Sequence, residues 1–390
     1  MSKLSDVAAK REAIQTDFFI YPIVLPRDNR KLSSAEFLLV KKICTEILQL
    51  VERRNGYIQT HAIDKKFALP DANWSCEPSE ELPNEFVNLF LRLADAKKET
   101  IEHFRGFCHV FSGVSIYTVS YGTGATFANM QLFPSINEEI AQAINLRNRG
   151  LVHVWRNSID GIPGRYILNP PLLLGECGHL VDGVVVNYDT IMYQERVSLI
   201  YRSGLARQIN KVIEENGEIR ICEIGGGYGA LALWFKRTFP NCSYTVIDLP
   251  ECLLFSGLYL GLNRPDVSSG VGLTPQRFGF RFVPNYMAEN LDEPFDLIIN
   301  TLSLSEMSLH QVEKYIDLMK RIWLKDGGLL FEQNQDNRHI KLLCAQEILA
   351  QHFPERIQVV PTGWPLKNGV PNIWSLHPIE LPPDLLVNDE

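Results

Sequence analysis

The sequence predicts an α/β protein: a doubly wound, parallel sheet with helices on both faces in the C-terminal half, behind a mixed, mainly helical N-terminal domain. Three observations carry this. From Glu218 onward short apolar runs alternate with longer helix-like runs, the pattern of successive βαβ units. One strand–helix junction, ICEIGGGYGALALWF over 221–235, holds three consecutive glycines, which let a ligand approach the backbone closely. The chain of 390 residues exceeds what one compact core usually takes. Two domains are therefore expected, 1–185 and 186–390.

The elements follow in order. Residues 33–54 predict an amphipathic helix, with Ser33 and Glu36 as a capping box and Leu39, Ile43, Ile47 and Val51 recurring at helical spacing. Residues 84–105 predict another, with Phe86, Phe90 and Leu93 on one side. GVSIYTVSYGTG (113–124) alternates and ends in glycines, as a strand and turn do. Residues 136–147 predict a helix, capped by Ser135 and Glu138. The stretch 160–183 is rich in Gly and Pro with little periodicity, and marks the domain junction. Residues 189–215 predict one or two helices. Then come strands at 219–224, 244–248, 280–284, 295–300 and 327–333. Helices near 228–239, 250–262 and 308–324 separate them, and two late strands fall near 357–360 and 372–376.

Composition narrows the function classes. The formal charge is -8, with 45% apolar and 22% charged residues. That balance argues against a nucleic-acid partner, which calls for a basic surface. Eight cysteines are present and none forms a CxxC pair, so no metal site is expected from them. The segment MSKLSDVAAKREAIQTDFF has no apolar core of a signal peptide, and no apolar run approaches the ~18 residues of a membrane span. A cytoplasmic protein with reduced thiols is expected.

The glycine turn lacks the Gly-Lys-Ser/Thr of a P-loop. Gly225, Gly227 and Ala230 satisfy a dinucleotide fingerprint by spacing, so glycines alone leave that reading open. Glu223, two residues before Gly225, weighs against it, because a carboxylate beside a pyrophosphate repels it. A carboxylate suits a ligand with an ammonium and a sulfonium and no phosphate, as S-adenosylmethionine is. Asp248 ends the next strand, in YTVIDLPE, where an acid accepts hydrogen bonds from a ribose diol. Leu249 follows it. Asn285, after the third strand, is expected near the adenine, and Asn300, at the end of the fourth, at cofactor or substrate or simply closing its turn.

EIGGGYG, IDLPE and FDLIIN resemble motif I, the acidic second-strand loop and motif IV of class I S-adenosylmethionine-dependent methyltransferases, over residues 190–390. More narrowly, EIGGGYGALA, VIDLPE and IINTLSLSEM resemble a family of bacterial sugar O-methyltransferases. The resemblance implies a seven-stranded sheet with its last strand antiparallel, S-adenosylmethionine as cofactor, and a sugar or glycan unit as acceptor. It also implies an N-terminal domain that shapes the acceptor site or forms a homodimer contact.

Methyl transfer is an in-line displacement, so much of its catalysis is positioning. A sugar hydroxyl is a poor nucleophile, and a general base helps by taking its proton. Ligands of open α/β sheets sit beyond the carboxyl ends of the strands. In NTLSLSEMSLH, after the fourth strand, Glu306 is the first candidate base. His310 lies one helical turn on and pairs with it if the segment is helical. Plant phenolic O-methyltransferases carry a His-Asp pair there, whereas this chain has Ser305-Glu306. Each candidate has a plainer reading: Glu306 as a helix-terminal charge capped by Ser305, His310 as a surface residue. Glu332, Asn334 and His339 face the same region as a polar loop, a sugar contact or oxygen ligands for magnesium. Tyr193, Arg196 and Tyr201 precede motif I, and Tyr117, Tyr121 and Trp374 offer aromatic faces for a sugar ring or fill cores.

Three rivals remain. One is a methyltransferase for a different small-molecule or peptide acceptor. Another is a non-catalytic scaffold of the same fold, and the third a NAD-dependent oxidoreductase.

Overall fold

The computed structural model describes residues 22–70, 85–108, 111, 151–324, 326–359 and 369–381. The strand expected over 113–124 and the helix over 136–147, with Tyr117 and Tyr121, lie outside them.

Among the described residues the elements are β1 (Ile23–Val24), α1 (Ser34–Thr60), α2 (Lys65–Ala68), α3 (Glu85–Ala94), α4 (Lys98–Glu102) and α5 (Leu151–Ile159). Next come β2 (Gly178–Val181), β3 (Val184–Val186), α6 (Tyr188–Arg202), α7 (Leu205–Asn216), β4 (Ile219–Ile224), α8 (Ala230–Thr238), β5 (Cys242–Asp248) and α9 (Pro250–Asn263). Then follow β6 (Ser269–Val271), β7 (Phe280–Pro284), β8 (Leu297–Thr301), α10 (Leu309–Leu318), β9 (Leu329–Gln333), α11 (Ala345–Leu349), β10 (Glu355–Gln358) and β11 (Asn372–Ser375).

These elements fall into two compact units. One gathers the described residues up to Phe37 and from Ala96 to Ser198, the other Leu38–Asp95 and the residues from Leu199 onward. Residues 38–95, which the sequence reading gives to the N-terminal domain, thus belong with the large sheet.

In the first unit, β1, β2 and β3 form an antiparallel sheet. The β2–β3 hairpin turns on Asp182 (φ 50°) and Gly183 (φ 82°), the Asp-Gly pairing that a two-residue turn favours. Val152, Trp155, Val181 and Val186 pack beside it. Beneath lies a buried ion cluster. Arg105 Nε is 2.6 Å from Glu176 Oε2 and Arg105 Nη2 is 2.8 Å from Asp189 Oδ2. Asn187 donates to the other Glu176 oxygen at 2.7 Å. The Gly- and Pro-rich stretch 160–183, read as the domain junction, thus contributes Glu176 to the ion cluster and β2 to the hairpin.

The second unit is built on eight strands in the order β10-β11-β9-β8-β4-β5-β7-β6. Every neighbouring pair is parallel except those made by β11. The resemblance implied seven strands. The eighth, β6, is a three-residue edge strand, Ser-Gly-Val, too short and too polar to show apolar alternation. Strands β7 and β8 are buried along their whole length, which explains their continuous apolar runs. One layer of the core joins Cys222, Ile224, Ile298, Tyr315, Trp323 and Leu330. Burying each large apolar side chain contributes about 1.5–3 kcal/mol. Trp323 satisfies its indole by donating to the Leu291 carbonyl at 2.9 Å.

Chain order reverses between β4 and β8, which pair with Ile224 opposite Asn300. From β4 the chain winds out through β5 to β7, and from β8 through β9 to β11. Such a switch point opens a crevice at the carboxyl ends of its strands. The helix expected over 308–324 is α10 followed by a π turn at Met319–Trp323. Helix α1 starts on the capping box read from the sequence: the Ser33 amide donates to Glu36 Oε2 at 2.8 Å, and the Glu36 amide to Ser33 Oγ at 3.2 Å. Its residue Ile43 lies against α9 at Gly257 and Gly261, where a Cβ would come within 3.2 and 2.9 Å of it.

Candidate cofactor and active site

The glycine turn lies at the switch point, between β4 and α8. Gly225, Gly227 and Gly229 have φ of 73°, 55° and 91°, a region that disfavours any residue with a Cβ. Space excludes side chains too. A Cβ on Gly225 would stand 2.2 Å from Ser303 Oγ, and one on Gly226 2.7 Å from Val246 Cγ1. The left-handed glycines let the turn fold closely over Ser303 and Val246.

Glu223 lies beneath it, 2% exposed. Tyr244, from β5, donates its phenolic hydroxyl to Glu223 Oε2 at 2.9 Å. Burial, reinforced by the neighbouring carboxylate, pushes the Tyr244 phenol well above its ordinary range, so it stays a donor. Sequence reasoning missed Tyr244, because a tyrosine in a strand reads as an ordinary β former.

Asp248 ends β5, half-buried. Its Oδ1 accepts from the Leu249 amide at 2.8 Å. Burial raises the carboxyl to about 7, against hydrogen bonds from the Leu249 amide, Cys252 and the Gly227 amide that pull it down. Leu249 is the N-cap residue of α9, and Pro250 opens the helix, as proline suits a first helical position. The structure thus brings Glu223, Gly225, Gly227, Asp248 and Leu249 to the carboxyl ends of two adjacent strands.

Asn285 is buried beyond β7. Its amide donates to the Ala68 carbonyl at 3.0 Å and the Phe67 carbonyl at 3.4 Å. It therefore docks α2 against the sheet, helped by Gln311, which donates to Leu69 O at 3.0 Å. Asn300 is fully buried and closes the switch point. It donates to Ile224 O at 2.9 Å and to Ser303 Oγ at 2.6 Å. The next residue but one, Leu302, has φ 70°. Such strain in a residue with a Cβ costs on the order of 1–3 kcal/mol and is held where surroundings over-determine it. Here it tucks Ser303 under Gly225.

Glu306 is half-buried at the end of a short 3-10 turn, Ser303–Glu306. Ser305 does not cap the following helix: it is buried, its hydroxyl donating to Gln335 O at 2.8 Å. Ser308 is the N-cap, in a capping box with Gln311. Glu306 thus precedes the helix, and the shared helical face expected for Glu306 and His310 does not form. His310 is exposed and its Nε2 lies 2.5 Å from Asp64 Oδ2. Glu332 is fully buried, and Arg196 stacks on Tyr193, 4.9 Å from the ring centre. Among the described residues no cluster of three or more His, Cys, Asp or Glu side chains is placed to hold a metal.

A glycine turn at the switch point, a buried acid under it and an acid ending the next strand define the class I methyltransferase arrangement. The side chains at the turn fit S-adenosylmethionine: the Glu223 and Asp248 carboxyls suit an ammonium and a ribose diol. Residues 188–262 match a family model described as an O-methyltransferase domain. The sheet is the doubly wound one of the class I methyltransferase fold, and the O-methyltransferase match covers its strands β4 and β5 and the glycine turn. Among solved structures, the chain is similar to the N-methyltransferase NodS from Bradyrhizobium japonicum with S-adenosylhomocysteine, at 18% identity and a TM-score of 0.30, over 45% of this chain and 85% of that one. It is also similar to human methyltransferase-like protein 13 with the same ligand, at 16% identity and a TM-score of 0.32, over 44% and 78%. No curated protein matches. No described helix is long and apolar enough to cross a membrane.

Proposed function

We propose that the protein is an O-methyltransferase that methylates a hydroxyl of a sugar or glycan unit in the cytoplasm. Bound S-adenosylmethionine supplies an electrophilic methyl group on a sulfonium. The observation that carries the reading is the buried Tyr244–Glu223 pair under the glycine turn, one strand from Asp248. In this reading Glu223 attracts the ammonium of the methionine end. The backbone of the turn from Gly225 to Gly227 lies along it, and Asp248 accepts from the ribose diol. The Leu249 amide holds Asp248 in place. Asn285 bears on the adenine side through the α2 segment it anchors, and Asn300 supports the turn from below.

Glu306 takes the proton of the acceptor hydroxyl. It stands just beyond the strained Leu302, at the carboxyl end of β8, and is the acid of that turn. His310 belongs to the surface pair with Asp64 and keeps α2 docked. Residues 1–185 shape the acceptor site or carry a homodimer contact. The sugar acceptor rests on the likeness of EIGGGYGALA, VIDLPE and IINTLSLSEM to sugar O-methyltransferases.

The test is calorimetric titration with S-adenosylmethionine, S-adenosylhomocysteine and NAD, then incubation with a panel of free and nucleotide-linked sugars followed by mass spectrometry. Binding of the adenosyl ligands, lost in Asp248→Ala, with one added methyl on a sugar, is expected. Binding of NAD alone would make the protein an oxidoreductase. Methylation of a phenol or peptide but no sugar would keep the chemistry and replace the acceptor.

A further inference from the structure

We propose that Glu332 is a positioning residue for methyl transfer, fixing the glycine turn and the 303–306 turn in one arrangement through Asn334 and Asn300. The inference rests on the reading of those turns as cofactor and acceptor walls. Glu332 sits in β9, opposite Asn300 of β8 on one side and Asn372 of β11 on the other. It is fully buried.

Its partners Asn334, Asn372 and Trp374 are all donors. Asn334 Nδ2 donates to Oε1 at 2.8 Å, and Asn372 Nδ2 and Trp374 Nε1 each donate to Oε2 at 3.4 Å. A carboxylate accepts at both oxygens and donates at neither, so Glu332 decides which way Asn334 faces. With its NH2 turned to Glu332, Asn334 also donates to Asn300 Oδ1 at 2.8 Å. Its own oxygen then accepts from the Ser305 amide at 3.2 Å.

Asn300, its oxygen occupied, turns its NH2 to Ile224 O at 2.9 Å and Ser303 Oγ at 2.6 Å. Ser303 Oγ in turn donates to Ile224 O at 3.1 Å, directly under Gly225. The relay crosses β11, β9, β8 and β4 and ends at both turns. Each member is buried or half-buried, where a wrongly oriented amide leaves polar groups unpaired.

Glu332→Gln keeps the shape and removes the acceptor-only character, so one NH2 must face a donor. Titrations with S-adenosylhomocysteine at about pH 8 would compare wild type, Glu332→Gln, Asn334→Ala and the double variant, with circular dichroism confirming fold. The expected result is a dissociation constant raised about ten-fold by Glu332→Gln, and a double variant no weaker than Asn334→Ala alone. That non-additivity reports a shared relay, which a general loss of packing would not produce. If wild type binds and Glu332→Gln binds within two-fold of it, or the two losses add, the proposal fails and the site reading stands. If Glu332→Gln does not fold, wild-type affinity in Asn334→Ala overturns the relay by itself. Failure of wild type to bind would sink both.

Discussion

Tyr244 holds Glu223 from below: the phenol donates to the carboxylate across 2.9 Å, between adjacent strands, and both side chains are buried. A buried carboxylate without such a donor is costly. Tyr244→Phe removes one hydrogen bond to a charged group, worth about 1.5–3 kcal/mol. The expected outcome is S-adenosylhomocysteine binding weakened by roughly ten-fold or more in calorimetry. Glu223→Ala should weaken it further, and the double variant should add little to Glu223→Ala.

Gly225→Ala meets two obstacles, the positive φ and the Ser303 hydroxyl 2.2 Å from the new methyl. We expect a destabilisation of roughly 1–3 kcal/mol, read from thermal or denaturant unfolding, and loss of adenosyl-ligand binding. Gly225→Ala combined with Ser303→Gly should recover part of the stability, since it relieves the clash and leaves the φ strain.

The Asp248 carboxyl, raised to about 7, makes ligand binding pH-dependent. A ribose diol donates, so the ionised acid is the one that binds it. Below about pH 7 binding must first remove a proton. Affinity for S-adenosylhomocysteine should rise up to ten-fold per unit as pH approaches 7 and then level off. Asp248→Asn should bind weakly and with a flatter profile across the same titrations.

Glu332 makes folding pH-dependent with a definite sign. Burial raises its carboxyl to about 7, opposed by hydrogen bonds from Asn334, Trp374, Asn372 and Gln346. Unfolded glutamate titrates near 4.3. Between those values the folded state holds the extra proton, so stability falls as pH rises from about 4 to about 7 and is level above. Ligand-free melting temperatures should show this decline, and the decline should be shallower in Glu332→Gln.

Glu306→Gln should lower kcat by about 10²–10⁴-fold with adenosyl-ligand affinity unchanged, once an acceptor is in hand. His310→Ala should leave kcat within a few-fold, because the ring is engaged with Asp64 at the surface. The opposite pattern would move the base to His310.

The alternation of apolar runs made the winding of the sheet legible, because strands buried on both faces have no polar positions to obscure them. The positions of Glu223 and Asp248 at strand ends were legible because each stands one or two residues from a fixed landmark, a glycine turn or a strand end. Tyr244 was not, since its value lies in facing a residue on the next strand. The Asp64–His310 pair joins positions 246 apart, and no local pattern carries such a contact. Ser305 is the cap the sequence suggested, and Ser308 is the cap the structure has. Ser305 is engaged instead with Asn334 and Gln335, residues 29 and 30 positions on, which no local pattern shows. Asn285 illustrates a subtler limit: its place after β7 was read correctly, while the backbone that occupies its amide comes from residues 67 and 68.

Helix α1 has a practical bearing on fragments of this chain. From Leu38 on it belongs to the unit of the large sheet. Its Arg54 is ion-paired with Glu251 of α9, both buried, and Tyr286 donates to its Leu50 carbonyl at 2.8 Å. Cutting the chain at residue 186 would strand the Glu251 charge in an apolar surface and uncover the Gly257 and Gly261 face. A methyltransferase fragment intended to stand alone therefore has to carry Leu38–Asp95 with it, added in trans or fused through a short connector.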